Sequence, residues 1–190
     1  SPKFIEIHRL APFNIRGTDV PVILDLMIHD IDILLDIVNS PINNIQASGV
    51  KVVSETLDIA NSRITFNNGC VANLTASRIS KGAMRKLRIF ETNNYMTVDF
   101  LKKTVESYVV KNHIPLEIDK KNIFPIEGHK KKYIIYKNPT ITDHNALREE
   151  LLQFTTAIKK GQEPEVNGSS ATHALDIALK IQKIIDDAES

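Results

Sequence analysis

From Val22 to Val38 the chain reads Val-Ile-Leu-Asp-Leu-Met-Ile-His-Asp-Ile-Asp-Ile-Leu-Leu-Asp-Ile-Val. At roughly 100° per residue, Asp25, His29, Asp32 and Asp36 recur at i, i+4, i+7 and i+11, so one helix edge carries three carboxylates and an imidazole. Nearly everything else on that helix is aliphatic, which demands burial on most sides and leaves the polar edge to face solvent, a cleft or a partner. A wet face more often carries Lys and Glu, which favour helix and pair across one turn. This edge has neither. Asp is the poorer helix former, so a line of Asp around one His points to short, positioned carboxylates.

Strands surround this helix. Residues 4–10 alternate as a strand, and a loop follows at 12–21 with Arg16-Gly17-Thr18-Asp19; the helix stops before Pro41. Period-two patterning then marks strands at 45–53, 57–66, 70–78, 85–91 and 95–100, with Asn67-Asn68-Gly69 as a hairpin turn. Further strands are expected at 104–111 and 133–136. Short links imply antiparallel neighbours and a meander, because a parallel crossover needs a dozen or more residues. One sheet face gathers Ala60, Ile64, Phe66, Cys70, Ala72, Leu74 and Ala76 and calls for a helical cover; the other shows Asn61, Arg63, Thr65, Val71, Asn73, Thr75 and Ser77, an open hydrated face or an oligomer contact. Leu147, Leu151, Phe154 and Ile158 form a helix stripe ending at Gly161, and Ala174, Ile177, Ile181 and Ile184 form another after a Ser169 or Ser170 cap. The fold class is α+β: an open, mostly antiparallel mixed sheet with helices packed on one face, in a single domain over 1–190.

Composition narrows the function classes. A formal net charge of +1 gives no footprint for nucleic acid or an anionic membrane. The basic run His129-Lys130-Lys131-Lys132, with Lys120-Lys121, reads as a solvated hairpin tip without a role. A single cysteine, Cys70, excludes an internal disulfide framework and fits a reducing compartment. The aspartates interrupt the most apolar helix and disqualify it as a membrane span. The N-terminus opens on alternation rather than a basic stretch and an apolar run, so no leader is expected and the setting reads as cytoplasmic. A strand this close to residue 1 leads us to expect further chain upstream.

The seven glycines never come closer than seven positions, so no Gly-x-Gly-x-x-Gly turn exists to cradle a dinucleotide phosphate. There is no Gly-x-Ser-x-Gly elbow, and Cys70 reads as a packed thiol. The six histidines lie on separate elements; Asp25 and His29 lack a recognisable third ligand, so no metal is assigned.

Asp25-Leu-Met-Ile-His29-Asp30-Ile-Asp32, preceded by Arg16-Gly-Thr-Asp-Val and a strand containing Arg9, resembles the substrate-domain helix of the Gfo/Idh/MocA oxidoreductases. The later strands, the Glu165-Val-Asn-Gly168 stretch and the final helix are similar to that family's C-terminal half. The resemblance implies a two-domain enzyme: an N-terminal Rossmann half, not in this chain, holds NAD or NADP and carries the glycine fingerprint and a Glu-Lys-Pro lysine, and this half covers the nicotinamide. By the same likeness His29 is the acid/base group that takes the hydroxyl proton as hydride leaves, work suited to an imidazole near neutral pH. Asp25 orients the ring or the sugar hydroxyls, and Arg9, Arg16, Thr18, Asp19 and Asp32 are substrate-binding candidates, the two guanidinium groups for an anionic part. The string is similar to members acting on nucleotide-linked sugars, so the expected partners are a sugar or nucleotide-sugar and further copies of the chain through the open sheet face, with no nucleic acid and no membrane. A non-catalytic assembly or ligand-sensing domain with the same fold is the competing expectation.

Overall fold

The structure is a computed structural model that describes residues 1–114, 119–128, 132–142 and 145–189. His129, Lys130, Lys131 and His144 lie outside the described residues. Nine strands, β1 (Phe4–Leu10), β2 (Ile42–Val50), β3 (Ile59–Phe66), β4 (Val71–Ser77), β5 (Met84–Glu91), β6 (Asn94–Asp99), β7 (Thr104–Lys111), β8 (Ile123–Pro125) and β9 (Tyr133–Lys137), form one sheet. Their order is β2-β3-β4-β1-β5-β6-β7-β9-β8.

This order corrects the expected meander. β1 lies between β4 and β5, parallel to the first and antiparallel to the second, with Phe4 opposite Val71 and Phe90. The short link from Ser77 to Met84 does mean that β4 and β5 run in opposite directions. It also reaches across the intervening strand, a gap of about 10 Å that a handful of residues spans easily. Link length therefore reports direction and not adjacency. The Asn67-Asn68-Gly69 hairpin is present: Gly69 takes φ +81° and its N–H donates to the Phe66 carbonyl at 3.0 Å.

Two helices cover one face. The first segment opens with a single π turn, Ile23–Met27, before α1 (Ile28–Ile37), where the sequence suggested one uninterrupted α-helix. The last helix, α3 (Gly168–Glu189), packs on α1 and β2. Ile5 and Ile7 of β1 meet Ile23, Met27, Ile31 and Leu34, with Ala60, Ile64, Phe66, Cys70, Ala72, Leu74 and Ala76 below them in the same core. The sheet face expected to be covered is covered. Fully burying an aliphatic side chain of this size contributes about 1.5–3 kcal/mol, so this cluster dominates stability.

Two helix details differ from expectation. The buried stripe of α3 is Ala174, Ile177, Ala178, Ile181 and Ile185, because a 3.6-residue period carries it past Ile184. The cap is Asn167, whose Oδ1 accepts from the N–H groups of Ser169 and Ser170 at 3.0 and 3.1 Å. Along the chain, α2 (Ala146–Lys160), capped by Asn145 and closed by Gly161, links β9 to α3. Its stripe Leu147, Leu151, Phe154 and Ile158 stays exposed, and only Ala157 of the helix is buried among the described residues. No helix among the described residues is long and apolar enough to cross a membrane.

Candidate active site

The chain leaves β1 at Leu10, loops through 11–20 and enters the π turn, where the N–H groups of Leu24 and Asp25 both donate to the Pro21 carbonyl at 3.0 and 3.1 Å. A π turn widens the helix by one residue and is enriched at functional sites. Here it carries Asp25. The half-buried Asp25 carboxylate lies beside Gly17, where a Cβ would sit 3.7 Å from both carboxylate oxygens. Gly17 also holds φ +86°, a conformation that L side chains resist. Gly17→Ala is therefore expected to cost about 1 kcal/mol, read as a lower urea midpoint at unchanged slope.

One turn on, His29 is exposed, and it shares no hydrogen bond with Asp25 among the described residues. Asp32 is half-buried and Asp36 exposed. These two line a cavity of about 420 Å³ with Glu165, Val166, Ser170 and His173 at the start of α3. Asp25 and His29 do not line it. The polar edge thus divides: its far end borders a cleft, and its imidazole faces outward, with no closed pocket around it made by the described residues. No group of three or more His, Cys, Asp or Glu is gathered for a metal ion among those residues.

The two arginines separate. Arg9 points into the helix-covered side and donates from Nε to Asp30 Oδ2 at 2.9 Å and from Nη2 to Asp30 Oδ1 at 2.7 Å. Both side chains are buried, so the fork that would grip a substrate anion instead ties α1 to β1. Arg16 is exposed on the loop, beside Thr18, which donates to the Ile15 carbonyl at 3.0 Å, and the exposed Asp19. Arg16, Thr18 and Asp19 therefore share one short loop with Gly17, which abuts Asp25.

A second buried pair was not singled out from sequence. Asp58 is fully buried and accepts from Arg78 Nε at 2.9 Å and from the N–H groups of Val52, Val53 and Ser54 at 2.8, 2.7 and 2.9 Å. Burial alone would raise the Asp58 carboxyl, but the hydrogen bonds from Ser54, Val53 and Arg78 outweigh it and hold the group well below the usual carboxylate range. A signal for this pair existed. A hairpin centred on Asn68 pairs Ile59 with Ser77, and one step further along the same register sets Asp58 against Arg78. Burial also pushes the Cys70 thiol up, which removes it as a nucleophile at neutral pH.

Residues 13–97 match the family model of the GFO/IDH/MocA C-terminal domain. The chain is 44% identical over 108 residues, 57% of its own length and 34% of the relative's, to UDP-N-acetylglucosamine 3-dehydrogenase of Acidithiobacillus ferrooxidans. The solved structure of that enzyme superposes with a TM-score of 0.83 at 31% identity, over 98% of this chain and 56% of that one. An uncharacterized oxidoreductase of Bacillus subtilis, YrbE, is 26% identical over 84% of this chain and 44% of its own length. A dehydrogenase from Clostridium difficile, at 16% identity over 97% of this chain and 55% of its own, shares the fold with a TM-score of 0.71. The match over residues 13–97 and the likeness to that dehydrogenase in sequence and fold support a C-terminal domain of the Gfo/Idh/MocA family. It spans about a third to just over half the length of these relatives.

Proposed function

We propose that this chain is the substrate and assembly half of an NAD(P)-dependent oxidoreductase that oxidises a hydroxyl of a sugar or nucleotide-sugar. The observation that carries the reading is the Asp25 and His29 edge beside the Arg16 to Asp19 loop, in a chain 44% identical over 108 residues to a UDP-N-acetylglucosamine 3-dehydrogenase. The glycines here are too widely spaced to cradle a pyrophosphate, so the nicotinamide belongs to a separate dinucleotide-binding domain. When bound there, it supplies the hydride acceptor.

The residues of this chain do the rest. His29, exposed and without a hydrogen-bond partner among the described residues, is free to turn and take the hydroxyl proton. Asp25 hydrogen-bonds a neighbouring hydroxyl and stabilises the imidazolium. Arg16 is the remaining guanidinium for an anionic part, because Arg9 is engaged with Asp30. Thr18, Asp19 and Asp32 offer polar contacts around the ring. With His29 open, the chain by itself is expected to be catalytically silent, since water is not excluded until a second domain closes over the edge. The test is the nicotinamide absorbance band, followed with UDP-linked sugars and the polypeptide that joins this chain to a dinucleotide-binding domain. Turnover supports the reading; binding of sugar without turnover favours a ligand-sensing domain instead.

The open sheet face is the proposed contact between copies. Phe4, Phe90, Tyr95, Tyr108 and Tyr136 form a ladder across five strands, with ring centroids 5.4, 4.9, 5.8 and 5.1 Å apart. Phe4 alternates with the core residue Ile5, so the ladder lies on the face away from the helices. Half-buried aromatic rings on a flat sheet suit a protein interface. Tyr95→Arg with Tyr108→Arg is expected to convert the assembly to single copies by light scattering; a parent that is already single overturns this contact.

A further inference from the structure

Asp58 and Arg78 stand outside the acid/base edge, yet most of what Arg78 reaches is the loop lying against that edge. Its Nε is spent on Asp58. Its Nη1 donates to the carbonyls of Gly17 and Val20 at 2.9 and 2.7 Å, and its Nη2 to Thr56 Oγ1 at 2.6 Å. The Thr56 hydroxyl in turn lies 2.9 and 3.2 Å from the carbonyls of Thr18 and Val20. The carbonyls of Gly17, Thr18 and Val20 are thus held by one guanidinium and one hydroxyl. Of the five donors a buried guanidinium must satisfy, Arg78 places those left over from Asp58 on this loop and on Thr56, so the pair ties a loop distant in sequence to the β3–β4 hairpin.

We propose that Arg78, fixed by Asp58 and assisted by Thr56, is a positioning residue that sets the Arg16 to Asp19 loop against Asp25 and so determines how tightly the sugar substrate is held. The inference rests on the reading of that loop and edge as the substrate site. The effect passes through the loop: Gly17 abuts the Asp25 carboxylate, and Arg16, Thr18 and Asp19 are carried on the same turn. Losing one hydrogen bond to a charged group is enough to weaken a complex by about an order of magnitude or more.

The test uses the polypeptide that joins this chain to a dinucleotide-binding domain. Arg78→Lys keeps a cation for Asp58 but loses the fork, and is expected to raise KM for the UDP-sugar about tenfold, with kcat and KM for the nicotinamide within twofold of the parent. Amide hydrogen exchange over residues 16–20 should quicken in the same variant. Thr56→Val, which removes only a hydroxyl, should move both readouts the same way by a smaller factor, and Thr56→Ser should restore them; these two carry the test if Arg78→Lys does not fold. An active parent whose variants keep the parent's sugar KM overturns the inference and leaves the proposed function standing. A parent without turnover overturns the proposed function, and the inference falls with it.

Discussion

Replacing His29 by alanine is expected to lower kcat by about 10²- to 10⁴-fold, the range that a positioned general acid or base contributes. The side chain is exposed and has no hydrogen-bond partner among the described residues, so its removal should change stability by no more than about 0.5 kcal/mol. Lost turnover would then belong to the chemistry and not to unfolding. KM for the sugar should stay near the parent's value, because an interaction made only in the transition state lowers kcat and kcat/KM together. A His29→Ala enzyme as fast as its parent ends the assignment, and Asp25 would then have to be tested as the base.

Asp30→Ala should unfold the chain far more readily. Arg9 and Asp30 meet in a bidentate pair with side chains 11% and 4% exposed, so cutting back the carboxylate leaves a guanidinium buried without its counter-charge. Breaking such a pair costs about 3–5 kcal/mol, whereas exchanging both partners for well-packed apolar residues is often neutral or better. Urea unfolding of Asp30→Ala should show the full loss, and Arg9→Met with Asp30→Leu should recover most of it. If the double variant is as weak as the single one, the ion pair itself and not the space it fills holds α1 to β1.

Local patterning carried much of the fold. Alternation located β1, β3, β4 and β7 to within a residue or two, since one face of each packs on helices or rings and the other does not. The place of β1 in the sheet was hidden, because its partners lie far along the chain and no local period encodes them. The π turn was hidden for a related reason: a run that is aliphatic on nearly every side has no apolar phase against which one extra residue in a turn would show. At the site, Asp25 and His29 could be singled out as an acidic line around one imidazole, but the fate of each charge could not. Arg9 and Arg16 look alike in sequence; only the packing of α1 on β1 shows that one is occupied by Asp30 and the other is not buried. Arg78 was missed although the hairpin register sets it opposite Asp58, because a lone charge at a strand end ordinarily marks a solvated rim.

The insertion of β1 between β4 and β5 has a cost during synthesis. β1 is made before either of its neighbours and must wait for Val71 on one side and Phe90 on the other before both of its ladders are formed. Until it docks, the β2 to β4 and β5 to β7 blocks each carry a long bare edge facing the vacancy. The nascent chain is therefore most prone to pair with its neighbours in the interval before β1 closes the gap.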